Sequence, residues 1–315
     1  MRICSFVPAA TRMIYDMGLQ DYLYGVTFEC PAEALLEKPK VVRCVLEGKD
    51  YSSAEIDAFF SASKAQGKSL YYVEEALLQQ IEPDIIFTQD VCDVCHIDST
   101  CTSAAIARLP KQPAIISLTP KSLQDVYQTA ITIGAAIGKE EVAYTYLAGL
   151  TKRTDAILEV LYKNKMPLKS VSLLEWIGPV YNCGHWIPYQ IAQAGGVDML
   201  SNPAGYSVVI PWEKIVRYNP EIIILAPCGF STKRVMQELH LLMAKDGWQQ
   251  LRAVQNKQVY VLDFDLFTQP SAGTLVNGIE LLAALFHPAL FTVPQKVAHK
   301  YQNIFDEVPV LSSIL

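Results

Sequence analysis

Ile81-Glu82-Pro83-Asp84-Ile85-Ile86-Phe87 and Tyr218-Asn219-Pro220-Glu221-Ile222-Ile223-Ile224 spell one pattern twice. Each copy follows an amphipathic stretch of helical spacing and opens a continuous apolar run with strand character. Each run then enters a polar turn that carries cysteine: Thr88-Gln89-Asp90-Val91-Cys92 in the first copy, Ala226-Pro227-Cys228-Gly229 in the second. A second pair of landmarks, Gly18-Leu19-Gln20-Asp21 and Gly196-Val197-Asp198, closes a helix in each half. Between the paired landmarks the first half carries roughly forty residues more, so the halves are related designs rather than strict repeats. Two similar α/β lobes imply a cleft between them, and such clefts are where ligands bind.

Working outward, strands are expected at Arg2–Val7, Tyr24–Thr27, Ile85–Thr88, Ala114–Ser117, Ser170–Leu174, Ile222–Leu225 and Val259–Asp263. Helices are expected at Thr11–Met17, Ser53–Ala65, Val73–Ile81, Thr102–Arg108, Leu123–Ile137, Ile187–Ala194, Trp212–Arg217, Thr232–Met243, Trp248–Leu251 and Leu275–Phe286. Ser52, Ser53 and Glu55 suit the start of the Ser53–Ala65 helix, within an extra segment running from Pro31 to Leu70. Lys139–Lys163 holds no proline and a single glycine, Gly149, and Val142, Leu147, Leu150, Ile157 and Leu161 recur close to helical spacing. It reads as one rigid strut of roughly 35–40 Å. The fold class is therefore α/β: two Rossmann-like lobes with mostly parallel sheets, joined by one long α-helix. The expected division is 1–138, a linking helix at 139–165, and 166–315. In such lobes the functional loops lie at the strand C-terminal ends.

Bulk properties remove several function classes. The 315 residues suffice for two domains with separate cores. Hydrophobic residues make up 51% and charged residues 18%, as in a compact soluble protein. A net charge of −6 argues against a broad nucleic-acid surface. No apolar run approaches the ~18–20 residues of a membrane span, so no membrane insertion is expected. Met1-Arg2-Ile3-Cys4-Ser5-Phe6-Val7 enters a strand without a leader pattern. The expected location is the cytoplasm, or the periplasm or cell surface if a leader was removed. The 8 cysteines are not a small-domain disulfide scaffold and fit a reducing compartment.

Taken together, the landmarks resemble the cobalamin-binding branch of the class III substrate-binding proteins of ABC importers, across residues 2–288. The carriers are Ser5-Phe6-Val7-Pro8-Ala9-Ala10-Thr11, Gly25-Val26-Thr27-Phe28-Glu29-Cys30-Pro31, and the two Pro-acid-Ile-Ile strands. Leu174-Glu175-Trp176, Cys183-Gly184-His185-Trp186 and Ala194-Gly195-Gly196-Val197-Asp198 complete them. The resemblance implies a stiff monomer with little hinge closure, no required cofactor, and a corrinoid held between the lobes. The Pro31–Leu70 segment and the Cys92/Cys95 pair look like those of a signal-less subgroup described only as cobalamin-binding-like. The resemblance also implies that one glutamate on each lobe docks onto a permease. Glu213, seven residues before Pro220, fits the pattern; in the first lobe the count falls on Ala76, so Glu75 or Glu74 substitutes.

A flat tetrapyrrole needs aromatic and aliphatic walls, with polar groups at its amide edge. Phe28, Trp176, Tyr181, Trp186, Phe230 and Phe267 each follow an expected strand and supply the wall; the competing reading of any one is core packing. Glu29, Arg43, Gln89 and Glu175 supply the polar edge, with a structural salt bridge the alternative for Arg43. His185, on the loop after the second lobe's first strand, is a candidate ligand contact and axial donor to cobalt or iron.

Cys92-Asp93-Val94-Cys95-His96 matches the c-type haem string, and equally a thiol-redox pair. With His96 and Cys101 it could hold a small metal site, or it is a cleft-edge loop with two thiols acting as small hydrophobes. No phosphate loop, nucleophile elbow or H-E-x-x-H appears, so no enzyme is indicated. The function read from sequence is a non-catalytic corrinoid binder serving an ABC permease or intracellular carriage. The alternatives are a siderophore, haem or metal-ion binder on the same fold, or a cytosolic redox or metal enzyme using Cys92 and Cys95.

Overall fold

The computed structural model describes residues 1–49, 51–89 and 104–306. The first lobe is built on strands β1 (Ile3–Ser5), β2 (Leu23–Thr27), β3 (Lys40–Cys44), β4 (Tyr71–Val73), β5 (Ile85–Thr88) and β6 (Ala114–Ser117). They lie in the order β4-β3-β2-β1-β5-β6, with only β4 antiparallel. The second lobe has β7 (Lys169–Ile177), β8 (Val180–Asn182), β9 (Gly184–His185), β10 (Gly196–Val197), β11 (Asn202–Pro203), β12 (Ile222–Leu225), β13 (Val259–Leu262) and β14 (Tyr301–Asn303). Its main sheet runs β10-β7-β12-β13-β14, with β8 folded back on β7 and β9 paired to β11. Two mostly parallel sheets joined through one long helix are the architecture expected from the alternating pattern.

The duplicated stretch explains itself in three dimensions. Helices Glu75–Ile81 and Trp212–Tyr218 are each seven residues long and end on a left-handed residue, Glu82 at φ 47° and Asn219 at φ 47°. The following proline cannot continue a helix, so the chain turns into β5 or β12. The acidic residue after each proline then ties down the neighbouring strand. Asp84 Oδ2 accepts the Arg2 N–H at 2.7 Å, and Glu221 Oε2 accepts the Ser170 N–H at 3.0 Å. The two Pro-acid-Ile-Ile copies are thus one capping device used in both lobes.

The linking helix runs from Glu140 to Lys163 without a break; its 24 residues span about 36 Å. Tyr146 Oη donates to Asp16 at 2.9 Å on the first-lobe helix Pro8–Asp16. Arg153 forks onto Glu280 through two bonds of 2.8 Å and reaches Asn277 at 2.6 Å, on the closing helix Ala272–Phe286. Charge-assisted bidentate pairs of this kind fix geometry as well as adding energy. Separate cores were expected; instead the largest apolar cluster runs through both lobes, from Ile3 to Val297, by way of these helices. Burying the facing sides of the linking and closing helices joins the lobes into one packed body.

Local departures have local causes. The first helix begins at Pro8, where a proline costs nothing at the first helical position. Val73 is the last residue of β4, not the start of a helix, because Tyr71–Val73 pairs with β3 at the sheet edge. Thr232–Met243 is two short helices, Thr232–Glu238 and His240–Met243, meeting at Leu239. The extra segment is part of the lobe: it supplies the helix Ala32–Glu37, strand β3, and the helix Ser53–Gln66. No helix among the described residues is long and apolar enough to cross a membrane.

Candidate functional site

The strand C-terminal ends of both sheets carry aromatic side chains. In the first lobe Phe28 follows β2, and its ring lies 6.1 Å from Tyr71 of β4. Phe60, from the helix Ser53–Gln66, lies 6.3 Å from the same Tyr71. Beside Phe28, Glu29 reaches solvent yet is crowded by protein, the environment of a side chain in a recess, and that burial raises its carboxyl pKa above the usual range. Gln89, half-buried, closes the described part of the turn after β5.

In the second lobe Trp176, on the bulged end of β7, packs on Phe230 of the turn after β12 at 4.9 Å. Arg234 sits 4.6 Å over the other ring, that of Phe230, and pairs with Glu238 at 3.3 Å. The Trp176 indole N–H is shielded from solvent and has no hydrogen-bond partner among the described residues. A buried donor without an acceptor is costly and rare. Tyr181 lies opposite Trp176 across the β7–β8 pair.

His185 was expected on a loop; it stands on β9, in the left-handed region at φ 54°. The residue before it must be glycine: a side chain at Gly184 would meet the Gly205 carbonyl oxygen at 2.5 Å. The imidazole stacks on Trp186 at 5.2 Å and meets Tyr206 edge-on at 5.4 Å. Burial lowers its pKa below the usual histidine value, which keeps it neutral with a lone pair free to donate.

Several expected contacts are placed elsewhere. Trp186 is only 4% exposed and its indole N–H donates to the Phe267 carbonyl at 2.6 Å, while Phe267 is itself 0% exposed. Both belong to the shared core, and the expected contact Phe230, also 4% exposed, belongs to the second lobe's own core, so these three rings are packing groups rather than surfaces open to a ligand. Glu175 accepts the Gly184 N–H at 2.9 Å and braces the hairpin under His185. Arg43 is held at 3.0 Å by Glu47, the salt-bridge alternative. Cys92 and Cys95, with His96 and Cys101, lie outside the described residues, and among the described residues no cluster of metal-ligating side chains forms. Cys4, Cys30, Cys44 and Cys183 are buried free thiols, and Cys228 is exposed. Sequence reasoning missed Tyr71, Phe60 and Tyr206; only the burial of their neighbours picks them out.

Of the two candidate docking glutamates, Glu213 is exposed in the first turn of its helix, with no ion pair among the described residues. Glu75 is bound by Arg108 at 2.6 Å. The matching helix bounds in the two lobes put Ala76, not Glu75, at the position of Glu213. A shallow depression on the outer face of the linking helix, lined by Thr151, Lys152, Asp155 and Glu159 among others, has no aromatic wall and lies on a different surface.

Residues 73–266 match the model of the periplasmic binding protein family. No curated protein sequence matches the chain. Among solved structures, an ABC transporter substrate-binding protein from Listeria monocytogenes EGD-e is similar with a TM-score of 0.68 at 16% identity, over 91% of this chain and 98% of that one. A periplasmic heme binding protein from Pseudomonas aeruginosa gives 0.69 at 15%, over 94% and 96%. The periplasmic vitamin B12 binding protein BtuF of Vibrio cholerae gives 0.63 at 17%, over 91% and 97%. At these identities the likeness is one of fold.

Proposed function

The chain belongs to the periplasmic binding protein family, and from that premise we propose that it carries a corrinoid, or a similar flat metal chelate, in the cleft between its lobes. It is a binding protein rather than an enzyme. The observation that carries the ligand class is a half-buried aromatic side chain at the strand ends of each sheet, Phe28 backed by Tyr71 in one lobe and Trp176 backed by the buried Phe230 in the other. An aromatic side chain offered by each lobe suits a planar macrocycle. The unpartnered Trp176 N–H suits an amide or carboxylate at its rim, and a neutral His185 suits the metal at its centre. The shared core makes the body stiff, so binding needs little movement of the lobes.

An ABC permease is the partner that the family reading supplies, with action outside the cytoplasm. Glu213 offers an exposed acidic head for it, without an ion pair among the described residues, whereas Glu75 must first release Arg108. The test is calorimetry and visible spectroscopy with cyanocobalamin, cobinamide and haemin. Truncating a stacked aromatic costs about 1–3 kcal/mol by analogy with base stacking. Trp176→Ala should therefore weaken the preferred chelate roughly 5- to 150-fold. His185→Ala should also shift the bound spectrum if the imidazole reaches the metal. Unchanged affinity in both variants, with both folded, refutes this cleft as the chelate site.

A further inference from the structure

The helix Ser53–Gln66 is built unlike the rest of the protein. It spans 14 residues, yet none of its described side chains is buried. It starts with a capping box in which Ser52 Oγ accepts the Glu55 N–H at 3.3 Å and the Glu55 carboxylate accepts the Ser52 N–H at 2.7 Å. Its apolar residues, Ile56, Phe59 and Phe60, go to different places. Phe60 packs with the first lobe's Phe28 and Tyr71 cluster. Ile56 packs on the second lobe's cluster, which holds Phe230 and has Trp176 against it. Phe59, 38% exposed, meets Tyr51 edge-on at 4.8 Å. The Ser52 hydrogen bonds lower the Glu55 carboxyl below its usual range, and the positive charge of Arg234, on the second lobe, adds to that lowering.

One helix thus packs against the apolar cluster of each lobe, and its Ile56 is the only described apolar side chain of the extra segment to reach the second lobe's cluster. We propose that Ser53–Gln66 is a strap across the mouth of the ligand cleft, which Ile56 and Phe60 keep shut and which swings aside to admit a flat ligand to Trp176. This rests on reading the cleft as the ligand site. A surface held by two half-buried apolar side chains opens at far lower cost than a packed core. The strap therefore opens locally while the shared core stays intact. A ligand that needs the open state binds with an affinity reduced by the fraction of molecules that are open.

The test releases the strap and reads Trp176. Trp186, Trp212 and Trp248 are 4%, 8% and 2% exposed, so added quenching by acrylamide reports Trp176. In Ile56→Asp with Phe60→Asp, quenching should rise severalfold and the association rate of cyanocobalamin or haemin should rise about tenfold or more. Replacing residues 51–68 by a Gly-Ser linker should do the same, and guards against a local effect of the new charges. Unchanged quenching in both variants overturns the strap whatever the ligand. Raised quenching with slower, weaker probe binding also overturns it, because the helix is then a wall of the site. Raised quenching with no probe bound by any form of the protein upholds the strap and removes the chelate reading instead.

Discussion

Asp198→Asn should change stability by an amount that depends on pH, with a sign set by burial. The Asp198 carboxylate lies inside the second lobe, accepting the Leu173 and Leu200 N–H groups at 2.9 Å each and facing the Cys183 thiol at 3.6 Å. Burial pushes its pKa up to about 6, against the lowering effect of those hydrogen bonds. In the unfolded chain the value is about 3.9. Between those two values the native state keeps a proton that the unfolded state has released, so this group's contribution to stability falls as pH rises. The gap is worth roughly 3 kcal/mol in full, and roughly 2 kcal/mol of it falls between about pH 4.5 and about pH 7.5. Asparagine does not titrate and offers one acceptor oxygen where the carboxylate offers two. At about pH 4.5 it should cost about 1–3 kcal/mol, the penalty for leaving a buried N–H without an acceptor. By about pH 7.5 that cost should shrink by roughly 2 kcal/mol, because the native protein now carries a buried charge. Urea unfolding of both proteins across this range is the assay. Carboxylates with lowered pKa, such as Asp84 and Glu280, titrate in both proteins and cancel in the difference. A cost that stays level, or grows, toward pH 7.5 refutes the reasoning.

Gly149 faces open space in the middle of the linking helix, so Gly149→Ala should stabilise by up to about 1 kcal/mol and raise the thermal midpoint by roughly 2 °C in calorimetry. Gly273 is the opposite case: a side chain there would meet Asp16 Oδ2 at 2.6 Å and Tyr146 Oη at 2.8 Å, so Gly273→Ala should destabilise by about 1–3 kcal/mol in denaturant unfolding. Trp186→Ala should cost about 3–5 kcal/mol of stability in the same assay, as a core truncation, whereas Trp176→Ala should cost less stability and more affinity. Small-angle scattering with and without bound chelate should give nearly the same radius of gyration, since the core is continuous between the lobes; a large decrease argues against it.

Features that one segment carries by itself were legible from sequence. The Pro-acid-Ile-Ile copies, the proline-free linking helix and the serine–glutamate start of the Ser53–Gln66 helix are local patterns with local causes. Features decided by partners distant in the chain were not. Trp186 looks like a ligand wall until its indole N–H is found on the Phe267 carbonyl, a bond between residues 81 apart. Glu175 looks like a polar edge until Gly184 claims it. Strand β4 was hidden because it adjoins a helix and draws its identity from pairing with β3. Aromatic content placed rings at the strand C-terminal ends of both sheets, but no periodicity separates a half-buried ring such as Trp176 from a core ring such as Trp186.

A stiff body raises a question of control. Hinge-closing proteins trap their ligand by moving whole domains. Here Arg153 grips Glu280, Tyr146 grips Asp16, and a single apolar core passes between the lobes, so a hinge would have to break packed contacts. Exchange must then be governed by something that moves at lower cost than a lobe. The described structure offers one such element at the cleft, a helix with no buried side chain among those described, which packs against the apolar cluster of each lobe. A permease that engaged the second lobe near Arg234 could weaken the strap's hold without bending the frame, since Arg234 stands over Phe230 and its charge acts on Glu55. On that logic Arg234→Ala should loosen the strap less than Ile56→Asp does, because Arg234 acts on Glu55 only through charge at a distance, whereas Ile56 packs directly on the second lobe's cluster. The order of acrylamide quenching should be wild type, Arg234→Ala, then Ile56→Asp. Quenching greater in Arg234→Ala than in Ile56→Asp would mean that charge, not apolar contact, keeps the strap shut.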